Sequence, residues 1–333
     1  MQRVCLIHTG GTIAMEKNNT GILQPTLSAE QLLHRIPVLK ELAAIDCIEL
    51  FLLDSTDINP RHWVIIAETI QQHYDQYDGF VILHGTDTMA YTATALSFML
   101  GQLGKPVILT GSQLPIAAVA SDAPNNIINA VRCATSTIAE VGIMFGNTVL
   151  RGNRTKKIHE FSLHPFASPN IPALADIGIT LRFADHCCTR RDGAVQLQTK
   201  LSTDVVAIKI FPGITTEHIL GMLPARTKGV LFEGYGSGNI PLGNEGIQEA
   251  IENIMRQDMV VVIGTQCVYG GVEYERYAGG HFAKTHGALS AYDMTSEAAL
   301  IKLMWVLGQA EDTTTIRQLY DTNIAGELTI LST

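Results

Sequence analysis

The chain alternates between short apolar runs and longer stretches with helical spacing. Apolar runs fall at residues 4–7, 48–53, 80–83, 107–109 and 142–145, each the length of a buried strand. Between them the spacing predicts helices over 62–77, 89–100 and 125–136. A second set follows, with strand-like runs at 205–210, 230–232 and 259–263 and helices near 246–256 and 296–307. Strands alternating with helices are the pattern of a wound α/β sheet covered on both faces. The stretch 185–202 (DHCCTRRDGAVQLQTKLS) is polar, lacks periodicity and is the best candidate for a connection. The expected organisation is a larger N-terminal α/β domain over 1–184, a linker over 185–203 and a smaller C-terminal α/β domain over 204–333. No internal repeat or low-complexity tract interrupts it.

Four strand ends carry unusual residues. The first run passes into Thr9-Gly10-Gly11-Thr12-Ile13-Ala14 and the second into Asp54-Ser55-Thr56-Asp57. The third passes into His84-Gly85-Thr86-Asp87-Thr88 and the fourth into Thr110-Gly111-Ser112-Gln113. Ligands in open α/β sheets bind beyond the carboxyl ends of the strands, so these turns share one crevice if their strands are neighbours. Hydroxyls and carboxylates dominate the set, and none of the four turns holds a lysine or arginine. Taken singly, each residue has a plainer reading. Thr9 and Thr12 suit helix capping, Asp87 suits the N-cap of the next helix, and His84 suits a strand end satisfied by backbone. Occurring together, they imply a site. Neither G-x-G-x-x-G nor G-x-x-x-x-G-K-[ST] is present, so Gly10-Gly11 is not read as a phosphate loop.

Composition narrows the chemistry. With 333 residues and 46% apolar content, the chain is long enough to bury two sizeable cores. A formal charge of −9 and a pI near 5.6 argue against nucleic acid as a partner. No twenty-residue apolar stretch exists, so no membrane span is expected. The opening MQRVCLIHTGG reads as an immediate strand rather than a secretory signal. The six cysteines are scattered and read as free thiols of a reducing cytoplasm, and none has zinc-site spacing. No cofactor and no metal are expected. A hydroxyl-rich site without either favours nucleophilic acyl transfer by threonine or serine, which needs a base. The segment Leu150-Arg151-Gly152-Asn153-Arg154-Thr155-Lys156-Lys157 offers lysines, and in an extended strand only one of Lys156 and Lys157 can face the crevice.

These residues carry a family resemblance. TGGTIA at 9–14 and HGTDTM at 84–89 resemble the paired signatures of the L-asparaginase family. YDGFVILHGTDTMAYTATALSFML, GKPVILTGSQLP, RGNRTKK and FASPN look like its bacterial cytoplasmic, type I branch. FPGI, GYGSGN, TQC, YDMT and GELT extend the likeness over essentially the whole chain. The resemblance implies a two-domain asparaginase-like fold and hydrolysis of L-asparagine to L-aspartate and ammonia. It makes Thr12 the nucleophile and groups Thr86, Asp87 and Lys157 as a second catalytic set. Asp54, Ser55 and Thr56 would hold the α-amino and α-carboxylate groups, with Asp87 pairing the ammonium. A zwitterion asks for such a mixture of one carboxylate and several neutral donors. Gly11 would allow close backbone approach, and Ser112 would lie toward the leaving amide. The resemblance also implies a homo-oligomer, a tetramer built as a dimer of dimers, with Asn239 of GYGSGN completing a neighbour's site.

The sequence departs from the family pattern in one place. Members carry a tyrosine on the loop after TGGTIA, whereas this loop runs through Asn18, Asn19, Thr20 and Gly21 to Ile22. Tyr292 is a candidate substitute for that phenol; its alternative is a packed tyrosine with its hydroxyl satisfied locally. Other readings are a non-catalytic amino-acid sensor, an amidohydrolase acting mainly on glutamine, and an amidotransferase subunit acting on misacylated tRNA. The last normally carries an N-terminal module, and a first strand starting at residue 3 argues against one. GELT at the tail likewise argues against an appended domain.

Overall fold

The structure is a computed structural model that describes residues 1–17, 20–243 and 247–330. Asn18 and Asn19 of the loop after TGGTIA, and Gly246 at the head of an expected helix, lie outside the described residues. The chain divides into two compact units, Met1–Thr199 and Lys200–Thr333.

The first unit is built on an eight-stranded sheet. Its order is Leu181–Phe183, Ala175–Ile177, Thr148–Arg151, Val141–Phe145, Val107–Thr110, Gly79–Leu83, Arg3–Gly10 and Ala44–Leu53. The five strands from Val141–Phe145 to Ala44–Leu53 are mutually parallel, and the other three extend the sheet antiparallel. Parallel strands buried on both faces read as continuous apolar runs, which is why the four inner ones stand out in the sequence, while the edge strand Ala44–Leu53 is only partly buried. Alternation sorts their side chains. Val4, Leu6, Val81, Leu83 and Ile108 share one core with Leu32, Leu39, Ile127 and Val131 of the helical segments. Cys5, Ile7, Phe80 and Ile82 point to the opposite face and are equally buried. There Tyr74, just past helix Pro60–His73, stacks on Phe80 with ring centroids 6.1 Å apart.

Helix Pro60–His73 starts where its sequence says it should. Asn59 caps it through a reciprocal box with His62, and proline occupies the first turn, where its missing N–H costs nothing. Helix Met89–Met99 has almost no polar face and is buried nearly all round. The polar stretch 185–203 forms no helix or strand beyond the Ile138–Thr189 bridge; its residues up to Thr199 belong to the first unit and the rest to the second. The Arg190 guanidinium donates to the carbonyls of Ser136 (2.6 Å), Asp78 (2.7 Å) and Ala134 (3.2 Å).

The second unit holds a parallel four-stranded sheet in the order Val205–Lys209, Gly229–Gly234, Val260–Thr265, Leu289–Ser290. Its core joins Val230, Phe232, Val261 and Ile263 to Ile251 and Ile254 of helix Gln248–Arg256. Helix Ser296–Gln309 buries a charge: Lys302 Nζ donates to Glu327 Oε1 at 2.5 Å and to the Thr322 carbonyl at 2.6 Å, and both charged side chains are fully buried. Glu327, in the GELT tail, also accepts the backbone N–H groups of Ile324 and Ala325. Removing one partner of such a pair strands the other charge without solvent. Glu327→Gln is therefore expected to cost about 3 kcal/mol of stability, read as a lower urea midpoint. A midpoint within error of wild type would contradict the pairing.

Candidate active site

The four strand ends singled out in the sequence are neighbours. Strands Ala44–Leu53, Arg3–Gly10, Gly79–Leu83 and Val107–Thr110 lie side by side and parallel, so their carboxyl ends open onto one edge. Their backbones touch at two glycines. Gly11 has φ +84°, and a Cβ there would stand 2.4 Å from the Gly85 nitrogen. A Cβ on Gly85 would stand 2.6 Å from Ser55 Oγ. Any larger side chain at either position would force the first, second and third turns apart.

Thr12 opens the short 3-10 turn Thr12–Ala14 just past Gly11. It is half-buried, and its hydroxyl has no hydrogen-bond partner among the described residues. Its neighbour Thr9 is spent on structure, donating to the Leu83 carbonyl at 2.7 Å. Across the Gly11–Gly85 contact, Thr86 is 5% exposed. Lys157 Nζ reaches it from strand Lys156–Lys157, donating to Thr86 Oγ1 at 2.8 Å and to Asp87 Oδ1 at 2.6 Å. The Lys157 side chain is mostly buried while that of Asp87 is 57% exposed, so the carboxylate retains a solvent-facing side. Asp87 does not cap the following helix: the N-cap position belongs to Thr88, whose hydroxyl turns instead to the Ser55 carbonyl.

Gln113 is a functional candidate missed in the sequence reading. Its amide Nε2 donates to the carbonyls of Glu160 (2.9 Å) and Ser162 (3.1 Å), which can only accept. Oε1 must then face Thr86, and it accepts the Thr86 hydroxyl at 3.1 Å. Thr86 thus receives a hydrogen bond from Lys157 and gives one to Gln113. The only signal in the sequence was a long amide among hydroxyls at the fourth strand end.

The remaining candidates make hydrogen bonds within and between the site turns. Asp54 Oδ1 accepts both the N–H and the hydroxyl of Thr56 at 2.9 Å, capping the turn Ser55–Asp57. Thr56 itself is exposed, whereas Ser55 is buried against Gly85. Ser112 Oγ donates to the Leu114 carbonyl at 2.5 Å and is committed to its own loop. The Gly11 N–H is likewise committed, to Leu53 O at 2.8 Å. His84 is fully buried, both ring nitrogens are engaged, and burial lowers its pKa to about 4. It is a neutral interior imidazole.

Asn239 belongs to the second unit, where its backbone pairs with Tyr235 and its buried Oδ1 has no hydrogen-bond partner among the described residues. Tyr292 also lies there, at φ +51°, with its hydroxyl donated to Asp321 Oδ1 at 3.1 Å. Of the two readings for that phenol, this is the locally satisfied one. Among the described residues no group of three or more His, Cys, Asp or Glu side chains is arranged to hold a metal.

Comparison with known proteins identifies the family. The family model described as "Asparaginase, N-terminal" matches residues 3–187, and "Glutaminase/Asparaginase C-terminal domain" matches 204–320. The chain belongs to the asparaginase family. It is 40% identical over 334 residues to L-asparaginase 1 of Escherichia coli strain K12, covering 98% of each chain. The thermostable L-asparaginase from Thermococcus kodakarensis superimposes with a TM-score of 0.92 at 38% identity, covering 98% of this chain and 99% of that one. L-asparaginase I from Vibrio cholerae O1 biovar eltor gives 0.89 at 37% identity, covering 99% of both. These matches reach through both compact units of this asparaginase-family chain.

Proposed function

We propose that this chain hydrolyses L-asparagine to L-aspartate and ammonia, with Thr12 as the nucleophile. The observation that carries the reading is an unpartnered Thr12 hydroxyl beside the Thr86–Lys157–Asp87 set, in a chain of this family. Thr12 Oγ1 would attack the side-chain amide carbon, its proton would leave with the amide nitrogen as ammonia, and water would then cleave the resulting ester. Thr86, Lys157 and Asp87 position or deprotonate the nucleophile or the water. Asp87, with its exposed side, pairs the substrate ammonium, and Ser55, Asp54 and Thr56 shape the α-carboxylate end. The free chemistry of Thr12 and the intact lysine set favour an enzyme over an amino-acid sensor. Ammonia release from the purified protein with L-asparagine, L-glutamine and D-asparagine tests the reading. The expected result is the highest kcat/KM on L-asparagine; release from none of the three would refute it.

The protein acts in the cytoplasm on this reading, since all six cysteines are free and two of them, Cys188 and Cys267, are exposed. No helix among the described residues is long and apolar enough to cross a membrane. The working form is a homo-oligomer, a tetramer arranged as a dimer of dimers. Exposed apolar side chains support it: Ile22, Val119, Ile158, Phe161 and Leu163 lie on the segments that follow or brace the site turns. Sedimentation should show a multiple of the 36.2 kDa chain, and a fully active monomer in dilute solution would contradict it. Because the Tyr292 hydroxyl is held by Asp321, Tyr292→Phe should keep turnover within about two-fold; a drop of about ten-fold or more would return the phenol to the mechanism.

A further inference from the structure

A buried line of hydrogen bonds ends on the site turn. Trp63 Nε1 lies 3.0 Å from Thr92 Oγ1, Thr92 Oγ1 lies 2.9 Å from His84 Nε2, and His84 Nδ1 lies 2.7 Å from the Gly85 carbonyl oxygen. With the buried imidazole neutral, the donors can be assigned. An indole N–H only donates and a carbonyl oxygen only accepts. Nδ1 must therefore carry the ring proton, Nε2 must accept the Thr92 hydroxyl, and the Thr92 oxygen must accept from Trp63. Every link is used once in each direction it allows. A neutral imidazole is required, and complete burial provides it, with the pKa lowered to about 4. The three side chains come from helix Pro60–His73, helix Met89–Met99 and the end of strand Gly79–Leu83, so the line is anchored in rigid elements.

What the line holds is the peptide between Gly85 and Thr86. In a trans peptide the C=O and the following N–H point in opposite directions, and no cis bond occurs among the described residues. With Gly85 O turned inward onto His84, the Thr86 N–H is turned away from the interior. It finds no acceptor among the described residues. The Gly11 N–H, from the turn across the glycine contact, is already bound to Leu53 O. We propose that His84, locked by Thr92 and Trp63, is a positioning residue that aims the Thr86 N–H at the oxyanion formed when Thr12 attacks the amide. This rests on the hydrolase reading above. A donor fixed in advance stabilises charge that develops only in the transition state, so its misalignment should appear in kcat and not in KM.

Thr92→Val keeps the shape of the side chain and cuts the line, while Thr92→Ser keeps the hydroxyl. Losing one oxyanion donor outright costs about a hundred- to a thousand-fold in kcat, and loosening one is expected to cost about ten- to a hundred-fold. Thr92→Val should show that loss with KM changed less than about two-fold, and Thr92→Ser should restore kcat to near wild type. Nitrogen-15 spectra of the wild-type imidazole at neutral pH should report the Nδ1–H tautomer of His84, a result that does not depend on any variant folding. An unchanged kcat in Thr92→Val, a loss confined to KM or to melting temperature, or a proton on Nε2 would each overturn the proposal. Wild-type protein inert toward L-asparagine would instead refute the hydrolase reading, which the kinetic comparison takes as its starting point.

Discussion

Thr12→Ala should lower turnover on L-asparagine by about a thousand-fold or more while leaving the fold intact. The size follows from what is removed, the hydroxyl proposed to form the covalent bond. The harmlessness to the fold follows from its surroundings. Thr12 is half-buried, and its hydroxyl serves no structural hydrogen bond among the described residues, so its loss strands no partner. Thr86→Ala makes an instructive contrast. It should cost turnover on a similar scale, but it also leaves Gln113 Oε1 and Lys157 Nζ each short of a partner in a site where Thr86 is 5% exposed. A measurable fall in melting temperature should accompany it. Steady-state ammonia release and thermal denaturation of both variants check this, and full activity in either one would break the two-threonine assignment.

The second large effect is expected at Lys157. Its ammonium group is the link between Asp87 and Thr86, bonded to both across about seventy residues of chain. Lys157→Met keeps the length and the apolar stem and removes the donors. Loss of a positioned proton-transfer group typically costs about a hundred- to ten-thousand-fold, and kcat should fall within that range. Lys156→Met is the control. In the two-stranded pairing Lys157 stands opposite Phe166 and Lys156 opposite Ala167, so the two side chains leave the strand on opposite faces. Its turnover should stay within about three-fold of wild type. A larger loss at Lys156 than at Lys157 would reassign the catalytic lysine.

How much of this was legible beforehand depended on the kind of signal. The strands ending at Gly10, Leu83 and Thr110 were readable because burial on both faces makes each carry an unbroken apolar run, whereas the edge strand ending at Leu53 is only partly buried and showed through its Ile48–Leu53 half. The antiparallel edge was not, since Ala175–Ile177 and Leu181–Phe183 are too short to show any period. Helix Ala278–Thr285 was missed for a different reason: two glycines among eight residues argue against a helix until packing decides otherwise. In the site, Thr12, Thr86, Asp87 and Lys157 came from motifs. Their neighbours came only from space. Gln113 meets Thr86 across 27 positions and Trp63 meets Thr92 across 29, and no periodicity encodes such contacts. Asp54 and Ser112 illustrate the converse, polar residues whose side chains fold back on their own turns and stabilise them.

The central claim is a covalent bond between Thr12 and the substrate. Acid quenching during turnover of L-asparagine, followed by proteolysis and mass spectrometry, tests it most directly. The account predicts an aspartyl ester on the peptide that contains Thr12, formed as ammonia is released and absent from Thr12→Ala. An ester on the Thr86 peptide instead, or ammonia release at the wild-type rate from Thr12→Ala, would contradict it.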